Sequence, residues 1–365
     1  MERLNRIVDD QPRDDRRNFL TQSLCGIAAT VLPFTSTSVA QTLPSGNWSS
    51  KTADVRGLRI HYVEQGTGPL VILCHGFPES WFSWRHQLPA LAAAGFRVIA
   101  PDLRGYGATG GSKLVADYAI KELVADITGL MDALGEKTCV LVGHDFGAVL
   151  TWNAALLAPE RFKAIVALSV PYNQRRGSPP VAAIRRAVGG SFNYIVYFQE
   201  LGVAEAELEG DIPRFLKAFY YNASAEAAAE LQRLPPRSSR SRLLETLVEP
   251  KVMPKWLSDA ELKYYVEQFT RNGFTGPLNW YRNLDNNWEI MKSFDGATIT
   301  QPTLFIAGEQ DPVLRSTRAN FDRMATTVPG LKRTAILPNC GHWVQQECPD
   351  EVNRELIAFL NQVAR

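Results

Sequence analysis

Gly143-His144-Asp145-Phe146-Gly147 follows the apolar run Cys139-Val140-Leu141-Val142 and precedes a helix-favouring stretch at 148–157. A strand, a turn hemmed by glycines and a helix together make a sharp elbow, which lifts the central side chain clear of the strand end. That side chain is Asp145. A serine at such an apex forms an acyl ester, whereas a carboxylate makes an alkyl ester by attacking a saturated carbon. The residue type at the apex therefore sets the reaction class. Taken alone, an aspartate ahead of a helix is also an ordinary N-cap.

Other short apolar runs surround the elbow: Leu70-Val71-Ile72-Leu73-Cys74, Arg97-Val98-Ile99-Ala100, Ala164-Ile165-Val166-Ala167-Leu168 and Thr303-Leu304-Phe305-Ile306-Ala307. Residues 58–64 alternate apolar and polar side chains, as a half-buried strand does. All-apolar runs separated by helical stretches such as 119–134 predict an α/β fold with a mostly parallel sheet covered on both faces. Residues 173–297 differ: they are rich in Ala, Glu, Arg, Tyr and Trp, with helical periodicity and no strand-like run. Helices are expected near 203–208, 225–234 and 259–271. An all-helical insertion between two strands reads as a cap over the sheet's C-terminal edge, where such sheets bind ligands.

Three further strand ends carry chemistry. His75-Gly76-Phe77-Pro78 resembles the oxyanion-hole loop of elbow-bearing hydrolases, with the amides of Phe77 and Phe146 as the expected donors. Asp311 lies in Gly308-Glu309-Gln310-Asp311-Pro312, just after one predicted strand. His342 lies in Asn339-Cys340-Gly341-His342-Trp343, just after the last, at 333–337. The order nucleophile, acid, histidine suits this architecture. Among the five histidines, only His342 falls in a post-strand loop near the C-terminus.

Composition narrows the function further. Lys and Arg number 39 against 38 Asp and Glu, a net charge of +1, so nothing points to nucleic acid or an anionic membrane surface. No apolar run reaches the roughly 18 residues that span a bilayer, so no membrane anchor is expected. Asp15-Arg16-Arg17-Asn18-Phe19-Leu20 resembles a twin-arginine export motif. A modest apolar stretch at 24–34 and Ser38-Val39-Ala40 follow it in the order of a cleavable signal. The expected organisation is a signal peptide at 1–40, a core at 41–173 and 297–365, a helical cap at 174–296, and a periplasmic or secreted location. After loss of Cys25 four cysteines remain. Cys74 and Cys139 fall at opposite ends of neighbouring strands, too far apart to bridge. Cys340 and Cys348 flank one loop, but the expectation for all four is free, buried thiols. No Cys/His spacing suggests zinc.

From residue 58 onward the chain resembles soluble epoxide hydrolases of the α/β-hydrolase superfamily. The resemblance rests on His75-Gly-Phe-Pro-Glu-Ser-Trp81, Pro101-Asp-Leu-Arg-Gly-Tyr-Gly107, Gly143-His-Asp-Phe-Gly147, Tyr197-Phe-Gln-Glu200, Gly202-Val-Ala-Glu-Ala-Glu207, Gly276-Pro-Leu-Asn-Trp-Tyr-Arg-Asn283 and Gly341-His-Trp-Val-Gln-Gln346. It implies an α/β-hydrolase fold with Asp145 as nucleophile, His342 as base and Asp311 as its orienting partner. It also implies two cap tyrosines, Tyr194 and Tyr281, as the phenols that hold the epoxide oxygen. Periodicity alone does not select those two from eleven tyrosines. Phe146 stands where the family more often has Trp, and Cys348 where it is usually polar.

The implied reaction turns a small apolar epoxide and water into a vicinal diol, with no metal or organic cofactor required. His75, Pro78, Phe192 and Trp280 are expected at the substrate. A haloalkane or haloacid dehalogenase shares the nucleophile, but the former needs Trp or Asn donors for halide and the latter an Arg after the nucleophile. Phe77 and Phe146 supply neither. A non-catalytic apolar-ligand binder on the same fold is the alternative from another class.

Overall fold

The β-strands form where side chains can be buried on both faces. In a computed structural model, which describes residues 46–364, the sheet has eight strands. They are β1 (Ser49–Val55), β2 (Leu58–Gln65), β3 (Leu70–Cys74), β4 (Arg97–Pro101), β5 (Cys139–His144), β6 (Phe162–Leu168), β7 (Thr303–Gly308) and β8 (Leu331–Leu337). The expected signal peptide and Cys25 lie outside the described residues. The strand order is β1-β2-β4-β3-β5-β6-β7-β8. β1 and β2 pair antiparallel, as do β2 and β4, and every other pairing is parallel. Every residue of β3, β5 and β7 is buried, as their unbroken apolar runs require. β1 was not expected: its sequence, Ser-Ser-Lys-Thr-Ala-Asp-Val, is mostly exposed on the sheet's edge and carries no apolar signal.

Helices cover both faces. Helix Ile120–Ala133 turns Ile120, Leu123, Val124, Ile127, Leu130 and Met131 inward at helical spacing. Helix Phe146–Leu157 is apolar nearly all round and lies against β3, β5 and β6. Its start is held tight by two missing side chains. A Cβ on Gly147 would lie 2.1 Å from the Cys74 carbonyl oxygen, and one on Gly143 would lie 2.0 Å from the Gly147 carbonyl oxygen. The elbow closes only because both positions lack one.

Between β6 and β7 every described element is helical, as expected. Helices Pro180–Val188, Tyr194–Tyr197, Val203–Leu208, Ile212–Ala223, Asp259–Asn272 and Thr275–Arg282 are the main ones. The helix expected at 225–234 is shorter, a 3-10 turn at Ala225–Ala227 running into Ala228–Leu231. The insertion is tied to the core by buried polar contacts. Tyr220 donates its hydroxyl to the Pro78 carbonyl at 2.6 Å, and the Trp280 indole donates to the Arg104 carbonyl at 3.0 Å. Arg85 donates to Glu261, Gln346 and the Trp256 carbonyl.

Cys340 and Cys348 form a disulfide, contrary to the expectation of free thiols. The chain between them doubles back through the turn Val344–Glu347 and brings their Cα atoms to 6.3 Å, within disulfide reach. Cys74 and Cys139 are free and buried. Cys74 pairs with Gly143, at the end of β5 away from Cys139, as the parallel register requires.

Candidate active site

Asp145 sits at the elbow apex with φ 53°, a backbone conformation that an L residue rarely adopts. The turn drives its carboxylate up from the sheet edge towards the loop after β3. There the Phe77 amide donates to Asp145 Oδ1 at 2.9 Å. Asp145 Oδ2 lies 3.5 Å from His342 Nε2. Burial works against the charge of Asp145, but hydrogen bonding and attraction from His342, with the Phe77 amide, hold its carboxyl below the usual aspartate value. An anion is therefore kept in a nearly dry place.

His342 stands between two carboxylates. Its Nδ1 lies 3.1 and 3.2 Å from the oxygens of Asp311, so Nδ1–H donates to that acid and Nε2 is aimed at Asp145. Asp311 is fully buried and is itself held by the Val313 amide, which donates to Oδ1 at 2.7 Å. Burial disfavours a charged imidazole, yet Asp311 and Asp145 together raise His342 well above the usual histidine value. The three residues expected to act together thus meet, from the ends of β5, β7 and β8.

Tyr194 and Tyr281 face the same place from the insertion. Their rings are 5.9 Å apart, and Tyr281 packs 4.5 Å from Phe146 and 5.3 Å from Phe77. Tyr197, Tyr220, Tyr221 and Tyr265 of the same insertion each donate their hydroxyl to a protein acceptor. The hydroxyls of Tyr194 and Tyr281 have no such acceptor among the described residues. Burial, helped by Asp145, raises both phenols above the usual tyrosine value, so both keep their protons. Two undirected donors beside a buried carboxylate suit an oxygen that gains charge during reaction.

Behind these residues lies a buried polar network that the sequence did not announce. Glu79, with no exposed surface, accepts from Gly76 N, His144 Nδ1, Gln345 Nε2 and Gln346 Nε2. His144 Nε2 lies 2.8 Å from the His342 carbonyl, which also accepts from Ser169 Oγ. The oxyanion-type loop, the elbow and the histidine loop are thereby fastened to one carboxylate. Glu79 sits within the quoted His75–Trp81 stretch, but its partners are far off in sequence and no local signal marks them.

Residues 69–349 match the family model described as alpha/beta hydrolase fold. The chain is 46% identical over 316 residues to Epoxide hydrolase A of Mycobacterium tuberculosis, covering 86% of this chain and 97% of that protein. The chain belongs to the epoxide hydrolases of the α/β-hydrolase fold. It is 42% identical over 309 residues to Bifunctional epoxide hydrolase 2 of Sus scrofa, covering 85% of this chain and 54% of that protein, so it spans about half of that relative's length. Among solved structures, an epoxide hydrolase from an endophytic Streptomyces superposes with a TM-score of 0.84 at 45% identity, over 87% of this chain and 96% of that one. Epoxide Hydrolase A from Mycobacterium thermoresistibile gives 0.81 at 45% identity, over 86% and 98%.

The remaining expected residues fall into two groups in this epoxide hydrolase. Trp280 packs 5.6 Å from Phe146, and Pro78 follows Phe77 through a cis peptide. His75 is fully buried, with Nδ1 on the Gly76 carbonyl and Nε2 accepting from the Leu103 amide. Its ring shapes the loop, and both of its nitrogens are engaged within the protein. Phe192 packs on Tyr197 at 5.6 Å rather than joining the cluster around Tyr281.

Proposed function

We propose that this chain hydrolyses an apolar epoxide to a vicinal diol through a covalent ester on Asp145. The observation that carries the reading is the buried carboxylate of Asp145, held by the Phe77 amide and His342, with two unengaged phenols beside it. Asp145 Oδ2 attacks one epoxide carbon, and the C–O bond to the ring oxygen breaks. Tyr194 and Tyr281 donate to that oxygen as it becomes an alkoxide, and the proton it finally takes up is the one that His342 gives up in the next step. Asp145 is now a neutral ester. One of the two anions that raise His342 has gone, so its imidazole releases a proton more readily and serves as a base. Oriented by Asp311, it draws a proton from water, which attacks the ester carbonyl. The amides of Phe77 and Phe146 receive the oxyanion, and collapse releases the diol and restores Asp145.

The aromatic surroundings, Phe77, Phe146, Phe198, Phe219 and Trp280, support an apolar substrate. The dehalogenase reading has less support: Phe77 and Phe146 carry no side-chain N–H, and the indole of Trp280 is engaged with Arg104. Export of the folded chain through its twin-arginine motif belongs to the same proposal. The Cys340–Cys348 bond supports it, because disulfides persist in oxidising compartments. Cell fractionation with an Arg16→Lys plus Arg17→Lys variant tests it, a variant still found in the periplasm counting against it.

The experiment for the reaction is a single turnover of an aryl epoxide in oxygen-18 water. The diol's new oxygen comes from Asp145 in the first turnover, so that diol is unlabelled, whereas later turnovers carry label. Label in the first diol, or diol formed by Asp145→Ala, rejects the covalent route.

A further inference from the structure

The loop that carries His342 is closed on itself in two ways that the reaction above does not use. Cys340 and Cys348 are bonded across it, two residues before His342 and six after. Within that ring Glu347 turns its carboxylate back to the chain. Gly341 N donates to Glu347 Oε2 at 2.9 Å, and Trp343 N donates to Oε1 at 3.0 Å. These are the two amides that flank His342. The same Oε2 accepts from Ala225 N of the insertion at 2.9 Å. His342 is held on its remaining sides by its own amide, which donates to the Ala223 carbonyl, and by its carbonyl, which accepts from His144 and Ser169.

A carboxylate can grip two amides on either side of a catalytic residue only if the chain brings it there. Glu347 adjoins Cys348, whose sulfur is tied to the residue that precedes Gly341. The covalent bond therefore sets the distance over which Glu347 reaches. We propose that the Cys340–Cys348 disulfide and Glu347 form one positioning device that holds His342 in register with the Asp145 ester. The inference rests on the reading of His342 as the base of the second step. Neither the disulfide nor Glu347 touches substrate, so both are positioning groups.

A device of this kind acts on one step alone. Asp145, Tyr194 and Tyr281 carry alkylation and lie outside the ring, whereas His342 is needed to hydrolyse the ester. Loosening the ring should therefore let ester accumulate, and a bond that merely adds stability should not. The bond opens by exchange with dithiothreitol. The reductant's two thiols supply two electrons and two protons, leaving as a cyclic disulfide while Cys340 and Cys348 become thiols.

The test uses the full chain, first mapped by unreduced peptide digestion, which should find Cys340 and Cys348 in one linked peptide. The oxidised, reduced and reoxidised chains are mixed with styrene oxide, quenched in acid and weighed intact. Reduction is expected to lower kcat on the order of tenfold or more while the mass of the alkyl-enzyme appears at steady state, and reoxidation to reverse both. Absence of the linked peptide overturns the proposal. So does reduction that leaves kcat and ester occupancy unchanged in a chain that stays folded. If the reduced chain unfolds, the same readouts are taken on Glu347→Gln, which keeps the bond but turns an amide donor towards backbone N–H groups. Ester accumulation there supports the device, and unchanged occupancy overturns it. A His342→Gln control separates the two readings: if that variant fails to accumulate ester, the base assignment has failed rather than the positioning device.

Discussion

At the scale of single residues, Tyr194 and Tyr281 matter because they come from the insertion as a pair, their rings 5.9 Å apart, with hydroxyls that no described residue accepts. Replacing either with Phe removes one donor to the opening oxygen and should slow alkylation about 10²-fold, as loss of one oxyanion-type donor does elsewhere. Rapid-quench measurement of ester formation checks this, and ester hydrolysis should change far less. Glu347 carries a pH prediction. Burial pushes its carboxyl up to about 7, with Asp311 adding to the effect and three backbone amides opposing it. The folded state then holds this proton longer than the unfolded chain does. The contribution of Glu347 to stability should fall as pH rises from the ordinary glutamate range to about 7, then level off. Urea denaturation of the parent and Glu347→Gln across that range should show a slope in the parent that the variant lacks. Legibility at this scale followed locality. Asp145 and His342 announce themselves because each adjoins its own strand end. Glu79, Ser169 and Glu347 do not, because their roles are defined by backbone groups brought close only by the fold. The tyrosine pair was supplied by resemblance, since an unengaged hydroxyl is a property of three dimensions.

The elbow is the element on which the site depends, and its tolerance is set by two backbone contacts. Gly147→Ala places a methyl group 2.1 Å from the Cys74 carbonyl oxygen, where no flexible side chain can yield. Helix Phe146–Leu157 must then move off β3, at a cost of about 3 kcal/mol or more. Chemical denaturation should record that loss, and any folded fraction should alkylate poorly because Asp145 has shifted with the helix. The inner strands of the sheet were legible because β3, β5, β6 and β7 are buried nearly throughout and so read as apolar runs. β1 was not, because an edge strand with most side chains in water needs no apolar residue to form. The pairing of Cys340 with Cys348 escaped for a related reason: only the turn at Val344–Glu347 brings them within reach.

Across the whole molecule, the insertion and the core meet at Arg85. Its side chain is 5% exposed and donates at 2.6 Å to Glu261 on helix Asp259–Asn272, at 2.5 Å to Gln346 of the histidine loop, and to the Trp256 carbonyl. Arg85→Ala leaves Glu261 without its cation and Gln346 with one donor fewer. A loss of about 3 kcal/mol is expected, as for other broken buried pairs. Hydrogen exchange should report faster opening in residues 256–269, with the central strands unaffected.

β6 and β7 are neighbours in the sheet and run parallel. The long helical insertion is thus the crossover that joins two adjacent parallel strands, drawn out into a detour. Closing a longer detour costs only the logarithm of its length. Apart from Tyr194 and Tyr281, the part of the chain that meets the substrate's carbon skeleton is therefore separable from the strand ends that carry Asp145, Asp311 and His342. Its inner face can be redrawn for a bulkier or slimmer oxirane while the strand ends that carry Asp145, Asp311 and His342 stay as they are. Grafting a different detour between Leu168 and Thr303 is then a route to new substrates, provided that Tyr194 and Tyr281 keep their places in it.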